Sequence, residues 1–221
     1  KGVPAFSNPS WSPDGKSIVV TGLVEGRTNL YQVNIKTGRV KQLTNDAYAQ
    51  IHARWSPDGS TILFSTDEWS QKNGRTHGKW TFNLAELDVV SGEVTSIEVF
   101  LGADNMNALY DKDGNIYFLS NRDGFRNLYK YDVLDKKVYQ MTDLITGISG
   151  ITPYAPAISL AQRIDRIVYT HYNKNQYDIY QAPSTDFLNK EVDPTAIDWT
   201  AAKLLRVNPK ANNLVDTQLN K

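Results

Sequence analysis

Short apolar runs with the two-residue rhythm of strands recur along the chain, separated by polar turn residues. Ser17-Ile18-Val19-Val20-Thr21 is followed by Asn29-Leu30-Tyr31-Gln32-Val33-Asn34 and then by Val40-Lys41-Gln42-Leu43-Thr44. The same succession returns as Asn115-Ile116-Tyr117-Phe118-Leu119-Ser120, Asn127-Leu128-Tyr129-Lys130-Tyr131-Asp132 and Val138-Tyr139-Gln140-Met141-Thr142. Runs this short, rich in β-branched and aromatic residues and bounded by Gly, Asn and Asp, predict strands joined as hairpins. A helix would instead place its apolar residues three and four apart.

The pivot of each repeat is a turn. It reads Trp11-Ser12-Pro13-Asp14-Gly15, again Trp55-Ser56-Pro57-Asp58-Gly59, and in degraded form Tyr110-Asp111-Lys112-Asp113-Gly114. Ser or Asp opens a turn, Pro presets φ, Asp bonds its own backbone, and Gly takes positive φ. Four short strands repeating about every 40–55 residues are the signature of a propeller blade. The predicted fold is therefore all-β, a β-propeller of four-stranded antiparallel meander blades. About four blades are present, at 9–46, 53–100, 106–143 and 154–208, with 209–221 as a tail or linker. Blade four is the most worn: Pro183–Ala202 delays its outer strand, placed at Lys203–Val207, and 193–199 reads as a short helix.

In a meander the loops 21–28, 67–80, 120–126 and 172–176 share the face opposite the Asp-Gly turns, here called the top. The crossings 45–52, 101–106 and 144–154 lie there too. Loops on a rigid scaffold are where binding residues concentrate. Loop 67–80 is about twice the length of its blade-one counterpart and holds Trp69, Arg75, His77 and Trp80. Trp and Arg are enriched at binding hot spots. The bland alternative is that Trp69 covers a blade edge and Trp80 starts its strand. Aligning the inner strands on Trp11, Trp55, Tyr110 and Ile158 sets Asn8, His52, Asn107 and Ala155 at one level, ringing the channel mouth. Trp11 and Trp55 read as packing between blades, as do Tyr31, Tyr129 and Tyr180.

Composition narrows the chemistry. The 221 residues carry 24 basic and 24 acidic side chains, net zero, so nothing favours nucleic acid or an anionic membrane. No apolar run approaches the roughly 18 residues of a membrane helix. With no Cys, disulfides and thiolate metal sites are excluded. The three His (His52, His77, His171) all fall on the top face but lack a tight metal-ligand spacing. Gly147-Ile148-Ser149-Gly150-Ile151 fails the nucleophile-elbow pattern at its last place. No catalytic residue, metal or cofactor is assigned. Starting at Lys1 without Met, the sequence reads as an excised piece.

The Trp-Ser-Pro-Asp-Gly copies, with Asn-Leu-Tyr and a closing Leu-Thr or Met-Thr, resemble the repeats of TolB-type β-propellers. Related blades occur in the propeller domains of prolyl oligopeptidases. The resemblance covers about residues 5–208 and implies six or seven blades, so four read as a partial or small propeller. It also implies a non-enzymatic protein-binding scaffold of the bacterial cell envelope, periplasmic, which takes a protein or peptide partner or another domain of its parent. The alternative it implies is the propeller portion of a larger enzyme, either a peptidase or a His-metal lyase for acidic sugars.

Overall fold

A computed structural model describes residues 5–199. The outer strand expected at 203–207 and the tail at 209–221 lie outside the described residues. Four antiparallel sheets stand in a ring around a common axis, a four-bladed β-propeller. Blade one is β1 (Ala5–Trp11), β2 (Ser17–Val24), β3 (Arg27–Asn34) and β4 (Val40–Gln42). Blade two is β5 (Gln50–Trp55), β6 (Thr61–Thr66), β7 (Asn83–Asp88) and β8 (Val94–Ser96), with a one-and-a-half-turn helix, α1 (Glu68–Asn73), inside loop 67–80. Blade three is β9 (Asn105–Tyr110), β10 (Ile116–Ser120), β11 (Asn127–Asp132) and β12 (Lys137–Gln140). Blade four contributes β13 (Ile158–Leu160), β14 (Ile167–Asn173) and β15 (Gln176–Ala182).

The turns are built as their residues dictate. Ser12 Oγ donates to Asp14 Oδ1 at 2.7 Å and Ser56 Oγ to Asp58 Oδ1 at 2.6 Å. The N–H groups just before the next strand also bond these carboxylates, Lys16 N at 3.0 Å and Ser60 N at 3.0 Å. In the degraded copy Asp111 takes over: its Oδ1 accepts from Asp113 N and Asn115 N, each at 2.9 Å. The repeated Asn and Thr have an equally local reason. Asn127 Oδ1 accepts from the Thr142 hydroxyl and from Leu144 N, both at 2.8 Å, while Thr142 Oγ1 accepts Leu128 N at 2.9 Å. Asn29 and Thr44 repeat the arrangement in blade one, with Leu30 N on Thr44 Oγ1 at 2.9 Å and Asp46 N on Asn29 Oδ1 at 3.3 Å. This pair ties the third strand to the crossing that leaves the blade, so backbone donors just beyond the fourth strand are satisfied.

The core lies between adjacent blades. Phe100, Phe118 and Tyr129 pack between blades two and three, with Phe100 and Tyr129 ring centroids 5.0 Å apart at 72°. Arg122 lays its guanidinium 5.2 Å from the Phe100 ring. Aromatic packing of this kind adds to the stabilisation from buried area at the seam between blades two and three, whereas the clusters between blades one and two and between three and four are mainly aliphatic.

Four expectations change. Trp11 is 59% exposed and joins none of the core clusters among the described residues, whereas Trp55 packs on the core between blades one and two. Tyr180 is 38% exposed and stacks on Tyr169 at 5.7 Å, while Tyr31 and Tyr129 are buried. Residues 193–199 form no helix. Finally, the insertion after β15 leaves blade four: after a 3₁₀ turn at Ser184–Asp186, its strand β16 (Lys190–Val192) pairs antiparallel with β12, giving blade three a fifth strand.

Candidate functional site

The aligned level Asn8, His52, Asn107 is a structural feature in its own right. In each of the first three inner strands the pairing register slips at this point, between Ser7 and Ser10, Ile51 and Arg54, and opposite Tyr117 and Leu119. Asn8, His52 and Asn107 sit in these bulges with φ of 52°, 61° and 54°. Asn tolerates the left-handed region better than other L residues, and a bulge re-aims the side chain that occupies it. Ala155 precedes β13, and its φ is not positive.

The bulges bring His52 and Asn107 together on the axis. His52 Nε2 lies 2.8 Å from the Tyr154 carbonyl, which can only accept, so Nε2 carries the proton. Nδ1 then accepts from the Asn107 amide at 3.2 Å and faces the Asn107 backbone N–H at 3.4 Å. Asn107 Oδ1 in turn accepts Ala157 N at 2.9 Å. Blades two, three and four are thereby latched to one another at one point. Burial holds the His52 pKa below its usual value, and the positive charges of Arg54 and Arg126 push the same way against the Tyr154 hydrogen bond. His52 is therefore neutral near pH 7, and a second ring proton would meet the Asn107 donors.

Two cavities lie near this constriction. Toward the top, Arg126 donates through Nη1 to the Pro153 carbonyl at 2.8 Å. It borders a cavity of roughly 410 Å³ with Asn121, Ser149, Thr152 and Tyr177. Gly147, beside the lining residues Thr146 and Ile148, has φ 66° and room for no more than a hydrogen: a Cβ there would stand 2.8 Å from the Arg126 carbonyl oxygen. Asp104 accepts Phe82 N at 3.0 Å, and burial raises its pKa. Toward the Asp-Gly turns, Arg54 enters a cavity of roughly 250 Å³ lined by inner-strand residues of all four blades, among them Ser10, Leu109 and Ser159.

The rim residues form a separate group over blade two. Arg75 lies 4.8 Å from the Trp80 ring centroid, and Trp80 is 46% exposed. Trp69, on α1, turns the other way and packs against Gly102, where a Cβ would meet its ring at 3.2 Å. His77 is exposed and meets the Trp199 ring edge-on at 5.0 Å. His171 bonds the Gly147 carbonyl at 3.1 Å through Nδ1. The three histidines thus have three different settings, and among the described residues no group of His, Asp or Glu converges on a metal position. The sequence reading missed Arg54, Asp104 and Arg126. Arg54 was in view as the charged residue at a level where blade one has Ser10 and blade three Leu109. Arg126 and Asp104 come within electrostatic reach of each other only through loop packing, which no periodicity encodes.

No protein-family model matches the chain. Curated proteins match short stretches of the chain. The uncharacterized peptidase YuxL of Bacillus subtilis is 36% identical over 58 residues, 26% of this chain and 9% of its own. The Tol-Pal system protein TolB of Francisella tularensis is 35% identical over 60 residues, 27% of this chain and 14% of its own. The crystal structure of TolB from Acinetobacter baumannii superposes with a TM-score of 0.64 at 21% identity, covering 88% of this chain and 45% of that one. The chain therefore spans less than half of that solved relative, and its fold is that of a TolB-like β-propeller.

Proposed function

We propose that this chain is a non-enzymatic protein-binding scaffold of the bacterial cell envelope, periplasmic, whose top-face loops and channel mouth receive a segment of another protein or another domain of its parent. The observation that carries the reading is the rim of blade two. There an exposed Trp80–Arg75 pair and the helix bearing Trp69 project from a sheet whose strands β6 and β7 are almost wholly buried. A rigid aromatic–guanidinium pair loses little conformational freedom on binding, so its contact area converts efficiently into affinity. The likeness to TolB, a protein of the Tol-Pal system, supplies the envelope setting. No helix among the described residues is long and apolar enough to cross a membrane.

The decisive measurement is affinity for a partner identified with the full-length parent. Trp80→Ala should weaken it by a factor of roughly 30, the ~2 kcal/mol of a hot-spot side chain, with an unchanged urea midpoint, and Trp69→Ala should weaken it by removing the packing that positions α1. Unaltered affinity in both variants removes the proposal. The match to the peptidase YuxL favours a second reading, the propeller portion of a larger enzyme. A hydrolase domain with a nucleophile elbow encoded in the same open reading frame would establish it.

A further inference from the structure

Arg54 is the one inward-turned guanidinium among the described residues that has neither a carboxylate nor an aromatic ring to answer its charge. Arg122 is stacked on Phe100 and Tyr129 and bonded to Tyr129 Oη at 3.2 Å. Arg126 has the Asp104 carboxylate within electrostatic reach. Arg54 makes a single long hydrogen bond, Nη1 to the Pro9 carbonyl at 3.3 Å, and takes part in none of the ion pairs among the described residues. A guanidinium presents five N–H donors in a planar fork that matches a carboxylate, and here most of them are unused. The side chain is half-buried, and desolvation depresses its pKa with no opposing carboxylate. Withdrawing a cation from water without a partner is unfavourable, and a ligand anion relieves that cost.

The surroundings are those of a binding cavity. Four blades each give inner-strand residues to its wall, so it lies on the propeller axis, on the Asp-Gly-turn side of the His52–Asn107 latch. Ser10, Ser159 and Gln162 add polar groups, Gln162 being anchored to the Tyr110 carbonyl at 3.0 Å. Leu109, Trp55 and Ile158 supply an apolar lining. Its roughly 250 Å³ suits a small ligand or one side chain and excludes a folded segment.

We propose that the axial cavity around Arg54 is a carboxylate-binding site, distinct from the rim surface on the top face and reached from the opposite side of the propeller. The carboxylate is either that of a free small acid or that of an acidic side chain on a peptide. Binding is reported by His52, whose pKa Arg54 depresses through space: an anion on Arg54 cancels that charge and moves the His52 pKa upward.

The test is calorimetric titration of the chain with citrate, and separately with acetyl-Gly-Asp-Gly amide against its Asn counterpart, while the three His are followed by NMR. Arg54-dependent binding of citrate assigns the free acid as the source; binding of the Asp but not the Asn peptide assigns the side chain. In either case Arg54→Gln should weaken binding at least tenfold, exposed Arg39→Gln should leave it unchanged, and the His52 pKa in the wild-type protein should rise on saturation. Absence of binding by both probes overturns the proposal, as does an equal loss in Arg39→Gln. Because the His52 readout uses only wild-type protein, a fixed His52 pKa at saturating probe overturns it even where Arg54→Gln does not fold.

Discussion

Asn107 offers a test of the axial latch because it couples a strained backbone position to a buried hydrogen bond. Replacement by Ala has two separable consequences. The Ala157 N–H loses its acceptor at 2.9 Å, a buried donor left unsatisfied at about 1–3 kcal/mol, while His52 Nδ1 loses the side-chain amide at 3.2 Å but keeps the backbone N–H at 3.4 Å. The residue keeps φ near 54°, which costs Ala about 1 kcal/mol more than Asn or Gly. The sum is roughly 2–4 kcal/mol, or a melting temperature lower by ~4–16 °C for a domain of this size. Asn107→Gly loses the same hydrogen bond but tolerates the left-handed backbone, so it should be more stable than Asn107→Ala by ~1 kcal/mol. That order reverses the usual ranking in a strand interior, where Gly is the weaker residue. Urea unfolding of the three proteins, read as midpoints at constant slope, gives both numbers. If Asn107→Gly were less stable than Asn107→Ala, or if both lay within ~0.5 kcal/mol of wild type, the account of the bulge and its latch would be wrong.

Other outcomes follow from the same geometry. Because the folded state holds the His52 pKa below the 6.5 of an exposed imidazole, the unfolded chain binds more protons in that window; stability should be full above pH 6.5 and decline as pH falls below it, and His52→Gln should flatten that slope in urea midpoints taken between pH 7 and 5. Exposed Trp11→Ala should change stability by less than ~1 kcal/mol, whereas Phe118→Ala, fully buried against Phe100 and Tyr129, should cost about 3–5 kcal/mol. A large effect at Trp11 would mean that another blade covers it.

The fold was legible because its signals are local. A Ser-Pro-Asp-Gly string specifies its own turn through bonds that close within the string, such as Ser56 to Asp58, and the strand rhythm on each side follows from period-two burial. Even the channel level could be aligned from sequence, since Asn8, His52 and Asn107 each stand a fixed step before an aromatic residue that ends the strand. The sequence by itself thus determined the blade, its repeat and the shared strand level of Asn8, His52 and Asn107.

Tertiary structure decided what those residues touch. Trp11 and Trp55 occupy identical local contexts, yet one is solvated and the other packed, because burial depends on whether a neighbouring blade is present. Strand β16 joins blade three instead of blade four, since edge pairing is chosen by whichever free strand edge lies within reach. Arg54 is left without a counter-charge only because four inner strands converge around it, and electrostatic environment belongs to the assembled ring.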